Sequence, residues 1–210
     1  QEGLANLRLL SLHKLTPPAT HAILRSGEVA LDGILAPGHV STIIGAQAWQ
    51  FVPREYGLPC TVTGFEPLDI LAGIADLVEQ HEAGRAEVHN AYGRSVQPQG
   101  NPAALELMER VFAPAPASWR GLGTLPDSGL ALREEYRAFD AAPLLAAQGI
   151  EAAEAREPAG CRCGDVLRGA LEPNRCPLFG RVCTPERPVG PCMVSSEGSC
   201  AAHYRYGGKA

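Results

Sequence analysis

The sequence predicts an α/β protein: a partial parallel-sheet α/β domain, followed by a small irregular cysteine-rich domain. Three observations carry this. Short apolar or β-branched runs alternate with stretches of helical spacing over roughly the first 112 residues, the pattern of strand–helix units that build a parallel sheet. From about Ala113 the texture turns to proline and glycine. Six of the seven cysteines then crowd between Cys161 and Cys200, where large apolar residues are scarce. The boundaries read as residues 1–145 for the α/β part, 146–158 for an Ala/Glu-rich linker and 159–210 for the cysteine-rich part.

In chain order, residues 7–12 (LRLLSL) read as a short strand. Thr16-Pro17-Pro18 opens a helix through about Ser26, because proline's fixed φ suits the first helical turn. Gly33–Ala36 is the next apolar run, closed by Pro37-Gly38. Ser41 or Thr42 is placed to cap a helix whose Ile44, Ala48, Phe51 and Val52 keep helical spacing. Cys60–Thr63 is the clearest strand, rich in β-branched residues. Pro67 starts a helix in which Ile70, Leu71, Ile74, Leu77 and Val78 line one face up to Gly84. Another helix spans Pro102 to Phe112, with Ala104, Leu105, Met108, Val111 and Phe112 inward. From Leu132 to Leu145 the chain reads as irregular or helical.

A formal net charge of −5 offers no basic face for nucleic acid or an anionic membrane. No apolar run approaches the roughly 20 residues that span a bilayer. The first residues, QEGLANLRLLSLHKL, lack a basic lead-in and a small-residue cleavage site, so they do not read as a signal peptide. A chain opening on Gln1 reads as processed or as a fragment. With no export signal, the expected compartment is the cytoplasm, where structural disulfides are rare.

Two strand-to-helix turns stand out, Pro37-Gly38-His39-Val40-Ser41 and Gly64-Phe65-Glu66-Pro67-Leu68-Asp69. Both fall where the carboxyl edge of a parallel sheet binds ligands. Glycine there lets a ligand approach the backbone, with His39 as a base and Glu66 as a carboxylate; the plainer reading has His39 and Asp69 merely capping helices. His13, His21, His81, His89 and His203 lack ligand-like spacing, and Cys60 reads as a small buried hydrophobe.

The cysteine-rich segment cannot hold itself together by burial alone. Disulfides, a structural zinc or an iron–sulfur cluster would each crosslink it. Cys161, Cys176, Cys183 and Cys200 are separated by 15, 7 and 17 positions, leaving Cys163 and Cys192 as a second set. Wide spacing suits a cluster reached from several loops. Structural zinc usually shows paired C-x-x-C, which this chain lacks. Two surplus thiols suggest a redox dithiol beside a metal centre. The cluster therefore ranks ahead of zinc, and zinc ahead of disulfides.

The words of the segment carry a resemblance. Cys161-x-Cys163-Gly164, Cys176-Pro177-Leu178-Phe179-Gly180, Cys183-Thr184-Pro185-Glu186, Gly190-Pro191-Cys192-Met193-Val194-Ser195 and Glu197-Gly198-x-Cys200 resemble the C-terminal signature of the HypD family. Those proteins are scaffolds in the maturation of NiFe-hydrogenases. The two turns, Gly100-Asn101 and Trp119-Arg120-Gly121-Leu122-Gly123 are similar to other motifs of that family. The resemblance implies a cytoplasmic protein of two α/β domains plus a cysteine-rich iron–sulfur domain. It implies a 4Fe-4S cluster on Cys161, Cys176, Cys183 and Cys200, with Cys163 and Cys192 as a redox pair. It further implies a transient iron carrying cyanide and carbon monoxide in the complete protein, a HypC-like small partner and a HypE-like cyanide donor. The family's Cys-Gly-Gly-His and Gly-Pro-Gly-Cys-Pro-x-Cys motifs are not in this sequence. The resemblance therefore places the chain in the C-terminal portion, starting inside the second α/β domain. It also leaves the cysteine for the nascent iron centre outside the sequence, and a sheet edge open. The rivals are a zinc-stabilised interaction module without a redox role and, last, a metal-free enzyme using His39 and Glu66.

Overall fold

The computed structural model describes residues 4, 6–26, 29–150 and 158–207. The chain divides into two compact units: residues 1–21, 31–115 and 127–151 form one, and 22–30, 116–126 and 152–210 the other. Of the expected linker, residues 151–157 lie outside the described residues.

The first unit holds the parallel sheet. After α1 (Thr16–Arg25), opened as expected by Pro17 and Pro18, come β1 (Ile34–Pro37), α2 (Gly38–Ile44), α3 (Phe51–Tyr56), β2 (Cys60–Thr63), α4 (Pro67–Glu82), β3 (Val88–Asn90) and α5 (Pro102–Val111). The strands pair in parallel in the order β1-β2-β3, with Pro37 beside Thr63 and Val62 beside Asn90. Three strand ends thus share one carboxyl edge. The α/β class is as the sequence predicts; β3 is an addition, too short to show a period.

Residues 7–12 do not form a strand. Leu9 makes a single parallel bridge to Asp140 through its own N–H and carbonyl. The helix expected from Ser41 is also different. It starts at Gly38, and the Ser41 and Thr42 hydroxyls donate back to the Pro37 and Gly38 carbonyls rather than capping. It breaks at Gly45, whose φ of +84° only glycine adopts easily. A Cβ there would lie 2.5 Å from the Gly100 nitrogen, so backbone packs on backbone. A 3-10 turn (Ala46–Trp49) then carries buried Trp49 into the core, where its indole N–H donates to Ser41 Oγ. Ala36, Val52, Val62 and Val96 are buried in the same unit.

α4 forms from Pro67 as expected, and its apolar residues divide by burial: Ile70 and Leu77 are half-buried, Leu71, Ile74 and Val78 face solvent, and the buried line is Asp69, Gly73 and Gln80. The cause lies in β2, whose Thr61 and Thr63 lie on one side of the strand. Thr63 Oγ donates to the Asp69 carbonyl, and Thr61 Oγ to the Asp76 carboxylate, which also accepts from Gln80 Nε2. Gly73 lets the helix close on the sheet, since a Cβ there would lie 2.9 Å from Leu35 Cδ2.

After α5, whose Asn101 caps it by accepting from the Ala104 N–H, a two-stranded ribbon forms from β4 (Phe112–Trp119) and β5 (Gly123–Leu132). A 3-10 turn (Glu134–Phe139) and α6 (Ala142–Ala147) follow, consistent with the irregular or helical reading. The second unit has little regular structure: α7 (Cys163–Leu167), 3-10 turns at Pro173–Arg175 and Pro191–Met193, and α8 (Ser199–Tyr206). Its core is built of Cys163, Cys183, Cys192 and Cys200 with Val166, Met193 and Ala201.

Candidate functional site

Six thiols converge in the second unit. Cys161 precedes α7 and Cys163 opens it; Cys176 follows one 3-10 turn and Cys192 lies in the other; Cys183 sits in a loop; Cys200 is in the first turn of α8. Proline at the start of each 3-10 turn and glycine between them replace helical period with tight turns. All six line one hollow, together with Leu178, Phe179, Gly190 and Met193. Five are buried and Cys161 is half-buried. Every one is a free thiol.

The contacts divide the set. Cys192 Sγ lies 3.1 Å from Cys200 Sγ, and Cys163 also hydrogen-bonds to Cys192. Cys192 is thus the sulfur between two others, within reach of both. Hydrogen bonds with Cys163 and then Cys200 draw its pKa down against burial, while the bond to Cys192 and burial hold Cys163 up. Burial first, then the bond to Cys192, raises Cys200, and burial raises Cys161. Cys183 accepts from two backbone N–H groups, Val189 and Gly190, each at 3.4 Å. Gly190 must lack a side chain, because a Cβ would lie 2.7 Å from Cys161 Sγ.

This donor set fits an iron–sulfur cluster. Clustered thiols release their protons to a cationic centre. N–H groups aimed at a sulfur are the usual partners of a ligand thiolate. Among the described residues no group of three or more His, Cys, Asp or Glu side chains is arranged to hold a metal ion. Cys60 stands apart in β2, where burial pushes its thiol up to about 12.

The first unit brings the two expected turns to its carboxyl edge. His39, second in α2, is exposed, and its ring lies 5.1 Å from that of Phe65, the neighbour of Glu66. Glu66 is exposed at the start of α4. The room beside each glycine is taken by the protein itself: a Cβ on Gly38 would meet the Tyr92 ring at 2.6 Å, and one on Gly64 the Asp69 carboxylate. Asp69 accepts from the Glu66 N–H, as the capping reading expects, and also takes both arms of Arg94 at 2.8 and 2.6 Å. That guanidinium, ahead of burial in size and opposite in sign, holds the Asp69 carboxyl below the ordinary carboxylate range. Arg94 also reaches Glu66 at 3.5 Å and lies over the Tyr92 ring. Tyr92 and Arg94 are the residues sequence reasoning missed, since they follow a strand too short to recognise. His89 has a partner too, the Asp76 carboxylate at 2.9 Å.

Comparison with known proteins decides the family. The model of the HypD family, described as "Hydrogenase formation hypA family", matches residues 1–207. The chain belongs to the HypD family. It is 47% identical over 211 residues to "Hydrogenase maturation factor HypD" of Azotobacter vinelandii, covering 98% of this chain and 55% of that protein. The protein of the same name from Cupriavidus necator is 44% identical, over 96% of this chain and 54% of its own length. That from Rhodobacter capsulatus is 41% identical, over 99% and 56%. The chain thus spans about half the length of the curated relatives it matches.

Proposed function

We propose that this HypD-family chain serves hydrogenase maturation by holding a 4Fe-4S cluster on Cys161, Cys176, Cys183 and Cys200, beside a Cys163/Cys192 redox pair. The observation that carries this reading is the single hollow lined by all six thiols. Bound there, the cluster supplies single electrons. The chain's own part is to bury four thiolates, give Cys183 two N–H donors, and set Cys163 against Cys192. On forming a disulfide those two sulfurs release two protons and two electrons, and on reduction they take them back. The 3.1 Å approach of Cys192 Sγ to Cys200 Sγ supports a pair close to one proposed ligand.

In the complete protein, His39 and Glu66 would orient a ligand or move protons at the carboxyl edge, with Arg94 holding the Asp69 end of that turn. The substrate there would be iron acquiring cyanide and carbon monoxide, with a HypC-like chaperone and a HypE-like cyanide donor as partners. The compartment of this reading is the cytoplasm; no helix among the described residues is long and apolar enough to cross a membrane.

The test is Cys176→Ala, purified anaerobically. It is expected to lose its visible cluster absorption and most of its iron, and to destabilise residues 158–205. Full iron and sulfide in that variant would refute the ligand assignment. A colourless wild-type chain with one zinc would instead establish the zinc-stabilised interaction module.

A further inference from the structure

α4 has two specified faces. One lies on the sheet through Asp69, Gly73 and Gln80. The other carries Leu68, Leu71, Ile74 and Val78, which are 78%, 61%, 45% and 50% exposed. At 3.6 residues per turn these four fall opposite the buried line, together with exposed Ala75. A surface helix normally shows the reverse arrangement. One exposed leucine needs no explanation, but a continuous apolar face does.

Rotation of the helix cannot cure this. Thr61 and Thr63 of β2 donate to Asp76 and to the Asp69 carbonyl, Gln80 Oε1 accepts from the Glu87 N–H, and Gly73 abuts Leu35. Turning the leucines inward would strip partners from all of these polar groups, each costly to leave unpaired. The outward face is therefore kept for a further layer.

We propose that the outward face of α4 is a docking surface for the part of the family's chain that has no counterpart in these 210 residues. Two observations select that occupant. The relatives carry nearly as much chain again outside the match, which covers 54–56% of their length, enough for a further domain. The patch is also flanked at its carboxyl end by exposed Glu79 and Glu82. A second copy of this chain would bring like charges together, whereas an apolar surface with basic flanks would complement them. The inference is independent of the iron–sulfur reading.

The test uses a chimera in which these 210 residues replace the matching part of the Azotobacter vinelandii protein. The pair Leu71→Ala and Val78→Ala is introduced into the chimera and into the 210-residue chain alone. Both changes are outward and helix-compatible, so the chain alone should melt within about 2 °C of its parent. The chimera should lose roughly 5 °C or more, because there the same side chains are buried. Equal shifts in the two backgrounds would overturn the proposal, as would a chimera that cannot fold. Sedimentation of the 210-residue chain supplies a second check. A dimer that Leu71→Glu and Val78→Glu dissolve would assign the face to a second copy and also overturn it.

Discussion

Gly190→Ala isolates the tightest steric demand in the cysteine hollow. Gly190 has φ −85° and ψ 151°, which alanine adopts without strain, so any effect comes from the added methyl. That methyl would sit 2.7 Å from Cys161 Sγ, against an ordinary carbon contact of about 3.5–4.0 Å. Either Cys161 or the Val189–Gly190 backbone must therefore move by roughly 1 Å. Movement of the backbone stretches both N–H bonds to Cys183, already 3.4 Å long. Overpacking of this kind costs about 1–3 kcal/mol, or a fall of roughly 3–10 °C in Tm for a chain of this size. The assay is thermal unfolding of the reduced, metal-free chain, followed by iron retention after anaerobic reconstitution. Gly93→Ala is the control, because a Cβ there meets nothing within 4 Å. A Gly190→Ala chain with unchanged Tm and unchanged iron would refute the view that this dipeptide sets the spacing of Cys161 and Cys183.

Arg94→Met should move the acid unfolding midpoint to higher pH. The guanidinium depresses the folded pKa of Asp69, so this pair's stabilisation is complete above the unfolded carboxylate pKa and lost as pH falls through the folded one; an unchanged acid limb would contradict the pairing. Asp76→Asn removes a carboxylate that is raised by burial but lowered more by Thr61, Gln80 and His89. It should cost about 1–3 kcal/mol in urea unfolding at neutral pH, and no loss would mean the α4–β2 network is dispensable. Gly45→Ala combines a φ of +84° with a 2.5 Å approach to Gly100, and its denaturant midpoint should report a loss of about 2–6 kcal/mol.

How much of this was legible in the sequence varies from element to element. Cys60–Thr63 announces itself as a strand through its β-branched residues, and the two turns with Gly38 and Gly64 follow strands, so the carboxyl edge could be read directly. The six clustered cysteines likewise marked a segment that needs crosslinking, because large apolar residues are scarce there. Other features depend on contacts far along the chain. The break after α2 is forced by Gly100, 55 positions beyond Gly45. In β4, Pro114 and Pro116 alternate with half-buried Ala115 and Ala117, a period of two hidden by a residue that normally argues against a strand. The orientation of α4 was not legible for a related reason. Its apolar spacing is real, but the polar face of β2 takes the other side of the helix.

The central claim is that the hollow is the seat of an iron–sulfur cube. The most direct test is Mössbauer spectroscopy, with acid-labile sulfide assay, of the anaerobically purified chain enriched in iron-57. The account predicts about four iron and four sulfide per chain and the spectrum of a thiolate-bound cubane. One zinc per chain, or protein folded around the six thiols with neither iron nor sulfide after reconstitution, would contradict it.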